Sequence, residues 1–134
     1  MQERLITQVS ISGKEDKITI KYDQGGREKW ERGEEEGSHA FYTSMQVFID
    51  MFIESAGLDA EYWQSGEVTS IVLKHSDAGT AIALTGTASI NNKYATVSSP
   101  SRIVESSDQK LLDNLVKQAI AYLEGDRSQQ SLLT

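Results

Sequence analysis

Residues 68–88 read VTSIVLKHSDAGTAIALTGTA, and this pattern is typical of two strands joined by a turn. Segments 68–74 and 81–88 are rich in residues that favour extended chain. Between them, the polar stretch 76–79 ends in a glycine, which is typical of a tight turn. These features predict a β-hairpin.

Similar patterns lie on both sides of this hairpin. Residues 94–98 predict another strand after an asparagine-rich turn, which extends the hairpin to a three-stranded meander. Near the start of the chain, 5–11 and 17–23 contain alternating apolar residues around a polar turn and predict a second hairpin. Residues 24–37 carry four glycines among charges and predict a mobile loop with a short strand near Trp30.

Two longer segments have the three- and four-residue spacing of amphipathic helices. In the first, Ser38 is the expected N-cap and Gly57 the expected end. In the second, Ser106 and Gln109 have the spacing of a capping box, and Gly125 is the expected stop. The apolar stripes consist of Phe41, Met45, Phe48, Ile49, Phe52 and Ala56 in the first helix, and of Leu111, Leu112, Leu115, Val116, Ala119, Ile120 and Leu123 in the second.

This order of elements predicts an α+β fold. The sheet is expected to be mostly antiparallel, built from the N-terminal hairpin and the β-meander, with two amphipathic helices packed on one face. A length of 134 residues suits one hydrophobic core. We therefore expect a single domain over residues 1–125, followed by a flexible C-terminal tail over 126–134.

Composition limits the possible functions. The chain has no cysteine, which excludes thiolate nucleophiles, disulfides and cysteine-ligated metal clusters. Its formal net charge of -7 disfavours direct binding to nucleic acid, because sequence-independent binding depends on cations. No segment approaches the roughly 20 apolar residues that span a bilayer, and the first residues lack an export signal. We expect a cytoplasmic protein that does not bind membranes.

The last residues contain two apolar side chains in an otherwise polar segment. Leu132 and Leu133 are adjacent and follow no helical or strand period. With Gln129 and Ser131 they resemble the short peptide through which many bacterial DNA polymerases and repair proteins bind the sliding clamp. The resemblance implies that the glutamine binds groove backbone while the leucines fill the groove. Two alternatives remain open: the leucines fold back onto the domain, or they add a strand to a neighbouring molecule.

A wider resemblance includes this segment. The chain resembles a family of small uncharacterised proteins of bacterial tailed phages and prophages, which share its order of hairpin, helix, meander and closing helix. Members end in Tyr-x-x-Gly-x-Arg-x-Gln-x-x-Leu-Phe, and the corresponding residues here are Tyr122, Gly125, Arg127, Gln129, Leu132 and Leu133. The resemblance implies a phage or prophage accessory protein that acts in the cytoplasm of a bacterial host. It implies no particular activity.

The chain offers few residues in the arrangements that catalysis requires. His39 and His75 are distant in sequence and have no metal-ligand spacing. The serines near Pro100 lack a Gly-x-Ser-x-Gly elbow, and the glycine-threonine pairs lack the length and the lysine of a phosphate loop. We therefore expect no catalytic activity, no metal site and no cofactor.

One polar turn is a candidate ligand site. Ser98, Ser99 and Arg102 place two hydroxyls and a cation within five residues, a set that can hold a phosphate group. This suggests an alternative to clamp binding, in which the protein binds a nucleotide signal and counters host defence. A DNA mimic built on the acidic residues within 31–36 is less favoured, because three cations lie within or beside that stretch. A purely structural interaction protein is the remaining hypothesis.

Overall fold

The structure is a computed structural model that describes residues 4–12, 17–33, 37–57, 63–90 and 92–125. A short 3-10 turn precedes the last helix. In chain order, the elements are β1 (Leu5–Ser12), β2 (Lys17–Gln24), β3 (Arg27–Gly33), α1 (His39–Gln46), α2 (Ile49–Ser55), β4 (Trp63–Ser76), β5 (Gly79–Ile90), β6 (Lys93–Ser98), β7 (Arg102–Ile103) and α3 (Gln109–Leu123).

The strands form one antiparallel sheet, which confirms the predicted α+β class. Its order is β3-β2-β1-β4-β5-β6, and the short β7 pairs with β5. The N-terminal hairpin is β1 and β2, and the predicted meander is β4, β5 and β6. The first and fourth strands join these two parts at the centre of the sheet, where Val9 lies opposite Ile71.

The structure corrects the prediction of a mobile loop over 24–37. The short strand expected near Trp30 is the seven-residue β3, which pairs with β2 along its length. Gly25 and Gly26 form a two-residue turn with φ angles of 62° and 80°, which only glycine adopts without strain. Sequence periodicity does not mark β3, because six of its seven residues are exposed and no apolar alternation is required. Residues 34–36 lie outside the described part.

The first predicted helix is divided into α1 and α2. Its ends are as expected: the Ser38 hydroxyl oxygen accepts a hydrogen bond from the Phe41 N–H at 3.2 Å, and Gly57 has a φ of 70°. The break lies at Val47 and Phe48, whose side chain is fully buried. Among the described helices, none is long and apolar enough to cross a membrane.

The capping box predicted for the second helix is wrong. Ser106 lies in the 3-10 turn, and α3 begins only at Gln109, after Asp108. Ser106 is therefore two residues too early to cap α3, and the Gln109 amide donates instead to the Asp113 carboxylate at 2.9 Å. The stop is as predicted, because Gly125 has a φ of 104°.

The helices cover one face of the sheet, as predicted. Ile20, Val9, Ile71 and Leu84 form a row of buried apolar side chains across the four strands from β2 to β5. The opposite face has short polar side chains instead. One row on that face consists of Thr19, Ser10, Ser70, Thr85 and Ser98, which occupy paired positions from β2 to β6.

Two glycines of the sheet allow aromatic side chains to approach its backbone. A Cβ atom on Gly33 would overlap the Tyr122 hydroxyl group of α3. A Cβ atom on Gly86 would lie 3.1 Å from the Phe52 ring and would overlap a backbone oxygen of β4. These positions require glycine because no space exists for a side chain.

Candidate functional site

The polar turn singled out in the sequence lies at one edge of the sheet, where the chain leaves β6 and enters β7. Ser98 is on the face away from the helices, where its hydroxyl lies 3.1 Å from the Thr85 hydroxyl. Ser99 is buried and pairs with Leu84: its N–H donates to the Leu84 carbonyl at 2.7 Å, and its hydroxyl accepts from the Leu84 N–H at 2.9 Å. The two hydroxyls therefore have separate partners and do not face a common point.

Arg102 is turned toward the helices. Its Nη1 donates to the Ser55 hydroxyl at 3.1 Å and lies 4.0 Å from the Glu54 carboxylate. Its Nη2 lies 3.8 Å from the Glu105 carboxylate. The side chain is about one third exposed, so these ion pairs are partly screened by solvent. The structure thus does not bring Ser98, Ser99 and Arg102 together around one point.

A cleft of about 240 Å³ lies beside Arg102, between the first two helices and the start of the last one. Its charged groups are mainly carboxylates. It is lined by Val47, Phe48, Asp50, Met51, Glu54, Arg102, Asp108 and Leu111. Three acids and one cation therefore line the cleft, which is a better match for a cationic group than for a phosphate.

These cleft residues were missed from the sequence because they lie on separate segments. Asp50 and Glu54 are four residues apart in α2 and share a helix face, which is the one local signal available. Asp108 is more than fifty residues further along the chain, just before α3, and only the tertiary fold brings it to the same cleft.

The two histidines occupy unrelated places. His39 is the exposed first residue of α1. His75 Nε2 donates to the Ile6 carbonyl at 2.8 Å, so in the neutral ring Nδ1 accepts from the Thr80 hydroxyl at 3.2 Å. Within the described ranges, no group of three or more histidine, aspartate or glutamate side chains is arranged to hold a metal ion.

The segment predicted to bind a partner lies outside the described residues. Gln129, Ser131, Leu132 and Leu133 all follow Gly125, the last described position. Comparison of the chain with protein-family models, curated proteins and solved structures finds no match.

Proposed function

We propose that this protein is a non-catalytic accessory protein that binds a bacterial sliding clamp through its C-terminal segment. The observation that carries this proposal is the pattern Gln129-x-Ser131-Leu132-Leu133. It begins four residues after Gly125, where the last described helix has ended. Eight residues from Gly125 to Leu133 span at most about 29 Å when extended, which is enough to place the leucines well beyond the domain surface.

The expected mode of binding is an extended peptide in a groove. Gln129 would form hydrogen bonds to groove backbone, and Leu132 and Leu133 would fill apolar pockets. Burial of two leucines contributes about 3 to 6 kcal/mol before the cost of ordering the segment. We therefore expect a dissociation constant in the micromolar range or weaker.

The charge of the chain supports an indirect route to DNA. A formal net charge of -7 opposes binding to phosphates, whereas a clamp would bring an acidic protein to the replication fork through a protein contact. Origin in a phage or prophage is part of the same proposal. It is supported by the resemblance of Tyr122, Gly125 and Arg127 to the family motif.

The nucleotide-binding alternative has weaker support. A phosphate at Arg102 would compete with Glu54 and Glu105 for the guanidinium, and it would face further carboxylates in the adjacent cleft. A DNA mimic is also less well supported, because β3 alternates acids with Arg27, Lys29 and Arg32 and so lacks a single-sign surface.

Calorimetric titration of the protein into a purified bacterial sliding clamp tests the proposal. The informative variant is Gln129→Ala combined with Leu132→Ala, and the matched control is Gln130→Ala, which changes the neighbouring glutamine. Binding that is lost in the double variant and kept in the control is the expected result. Absence of binding by the unaltered protein would exclude the clamp as the partner and would make nucleotide screening the next experiment.

A further inference from the structure

The outer edge of β6 has the properties of an interaction surface. Among the described strands, β6 pairs only with β5, so its other side has no strand partner. Its sequence, Lys-Tyr-Ala-Thr-Val-Ser, combines high strand propensity with a single charge, Lys93. Tyr94 is the most exposed large apolar residue of the described chain, with 80% of its surface accessible. Exposed edges of this kind tend to pair with other strands.

The opposite edge of the sheet shows how this chain protects an edge. There, five of the seven residues of β3 are charged: Arg27, Glu28, Lys29, Glu31 and Arg32. Charges along an edge disfavour the addition of another strand, because pairing would remove them from water. The edge formed by β6 has no such protection. If a strand is added to this sheet, β6 is therefore the edge that accepts it.

The hydrogen bonds of β6 fix which of its backbone groups point outward. Ser99 N–H donates to the Leu84 carbonyl, so Leu84 and Ser99 form a hydrogen-bonded pair in register with the β5–β6 ladder. Such pairs alternate along an antiparallel ladder. The N–H and C=O groups of Tyr94, Thr96 and Ser98 consequently point away from β5, toward the open side of the sheet.

We propose that this edge pairs antiparallel with β6 of a second copy of the chain. A twofold axis at Thr96 aligns all three outward-pointing residues, because Tyr94 then lies opposite Ser98 of the second copy and Thr96 lies opposite its own equivalent. Two hydrogen bonds form at each of these three pairs. Registers centred on other residues align fewer of them. The result is one continuous sheet through both copies.

The side chains are compatible with this register. Lys93 lies opposite Ser99 of the second copy, so the lysines do not oppose each other. Ala95 lies opposite Val97 on the face that carries the helices, and the two Thr96 side chains meet at the axis, a favourable cross-strand pair. A six-residue strand buries less surface than a stable dimer interface needs, so self-association is weak, with a dissociation constant on the order of 100 µM.

Sedimentation equilibrium of the full chain between about 10 µM and 1 mM tests this pairing. The unaltered protein is expected to approach twice the monomer mass at the high end. Thr96→Lys opposes two like charges at the axis, and Thr96→Pro removes an outward N–H without touching the β5 ladder. Both variants are expected to weaken association at least about tenfold. Trp30→Lys places the same charge on the other edge and should leave association unchanged.

Two results would overturn the proposal: a monomer mass across the whole range, or association that both Thr96 variants leave intact. If the variants fail to fold, amide exchange of the unaltered protein decides the question. The N–H groups of Tyr94, Thr96 and Ser98 should then exchange more slowly at 1 mM than at 10 µM, while those on the outer side of β3 should not change. Concentration-independent exchange at these three amides would also count against the pairing.

Discussion

The side chain of Gln46, in α1, binds the backbone of β4 near the centre of the sheet. Its Nε2 donates to the Val68 carbonyl at 2.9 Å, and its Oε1 accepts from the Val68 N–H at 2.9 Å. Val68 lies beside a bulge in β4, and the pairing of β4 with β1 stops at Ser70 and Ser10. Val68 is fully buried, and the glutamine amide forms the two backbone hydrogen bonds that a neighbouring strand would otherwise form with it.

We expect Gln46→Met to lower the free energy of unfolding by about 2 to 4 kcal/mol. Losing two neutral hydrogen bonds costs about 2 kcal/mol, at about 1 kcal/mol each, and the unpaired N–H and C=O of Val68 raise the cost toward about 4 kcal/mol where water does not replace the lost partners. Methionine keeps the length of the side chain and its helix propensity, so the loss reports on the hydrogen bonds. Urea unfolding followed by tryptophan fluorescence measures it.

The variant Gln46→Glu provides a test by pH. One oxygen of the new carboxylate would accept from the Val68 N–H, but the other would face the Val68 carbonyl, which raises the pKa of the new carboxyl above its usual value of about 4.3. The folded state then binds the proton more tightly than the unfolded state does. The stability of Gln46→Glu is therefore closest to that of the unaltered protein at pH values below about 4.3. The variant loses stability as the pH rises through the raised pKa.

The control for both variants is Gln118→Met, which makes the same substitution on α3 at a half-buried position. It should change the free energy of unfolding by less than about 0.5 kcal/mol. The reasoning is refuted if Gln46→Met falls within that same limit, or if the stability difference between Gln46→Glu and the unaltered protein is independent of pH between 3 and 7.

Three further predictions test the packing of the helices on the sheet. Gly86→Ala should destabilise by about 3 kcal/mol or more and be detected as a lower melting temperature, because the new methyl group meets the Phe52 ring and a strand backbone that has no room to move. Gly33→Ala should destabilise similarly, and combining it with Tyr122→Leu should cost less than the sum of the two single changes in a double-mutant cycle. Phe48→Asp, which buries a charge at a fully buried site, should abolish the cooperative unfolding transition.

The fold was predictable where burial imposes a period on the sequence. The hairpin of β1 and β2, the meander and the helix ends at Ser38, Gly57 and Gly125 were all evident from apolar spacing, caps and glycines. The sequence pattern predicts a loop over most of β3, because both faces of this strand are exposed and apolar periodicity arises only where one face is buried. The capping box at Ser106 failed because a 3-10 turn shifts the start of α3 by two residues.

The candidate site was less predictable, because its residues meet only through tertiary packing. Ser98 and Ser99 are adjacent in sequence, yet the Ser98 hydroxyl meets the Thr85 hydroxyl whereas the Ser99 hydroxyl binds the backbone N–H of Leu84. Arg102 is near both in sequence but pairs with Glu54, which is almost fifty residues away. Short-range composition thus identified a polar turn correctly, but it gave no information on the direction of the side chains.

The topology explains why contacts such as that of Gln46 matter for the whole molecule. The sheet has two halves that meet at β1 and β4. On one side the strands run outward in chain order as β1, β2 and β3, and on the other side as β4, β5 and β6. In the sequence, each half is followed by a helical segment. Within the described part of the chain, β1 and β4 pair at three positions, from Gln8 and Val72 to Ser10 and Ser70, and the His75 ring adds a hydrogen bond to the Ile6 carbonyl. These pairs are about sixty residues apart in sequence, so forming them carries a large loop-closure cost that local hairpins do not have. The Gln46 side chain of α1 binds β4 at Val68, just beyond the end of this seam, and so holds the second half of the sheet against the helices. Its loss should raise the unfolding rate of the domain as a whole.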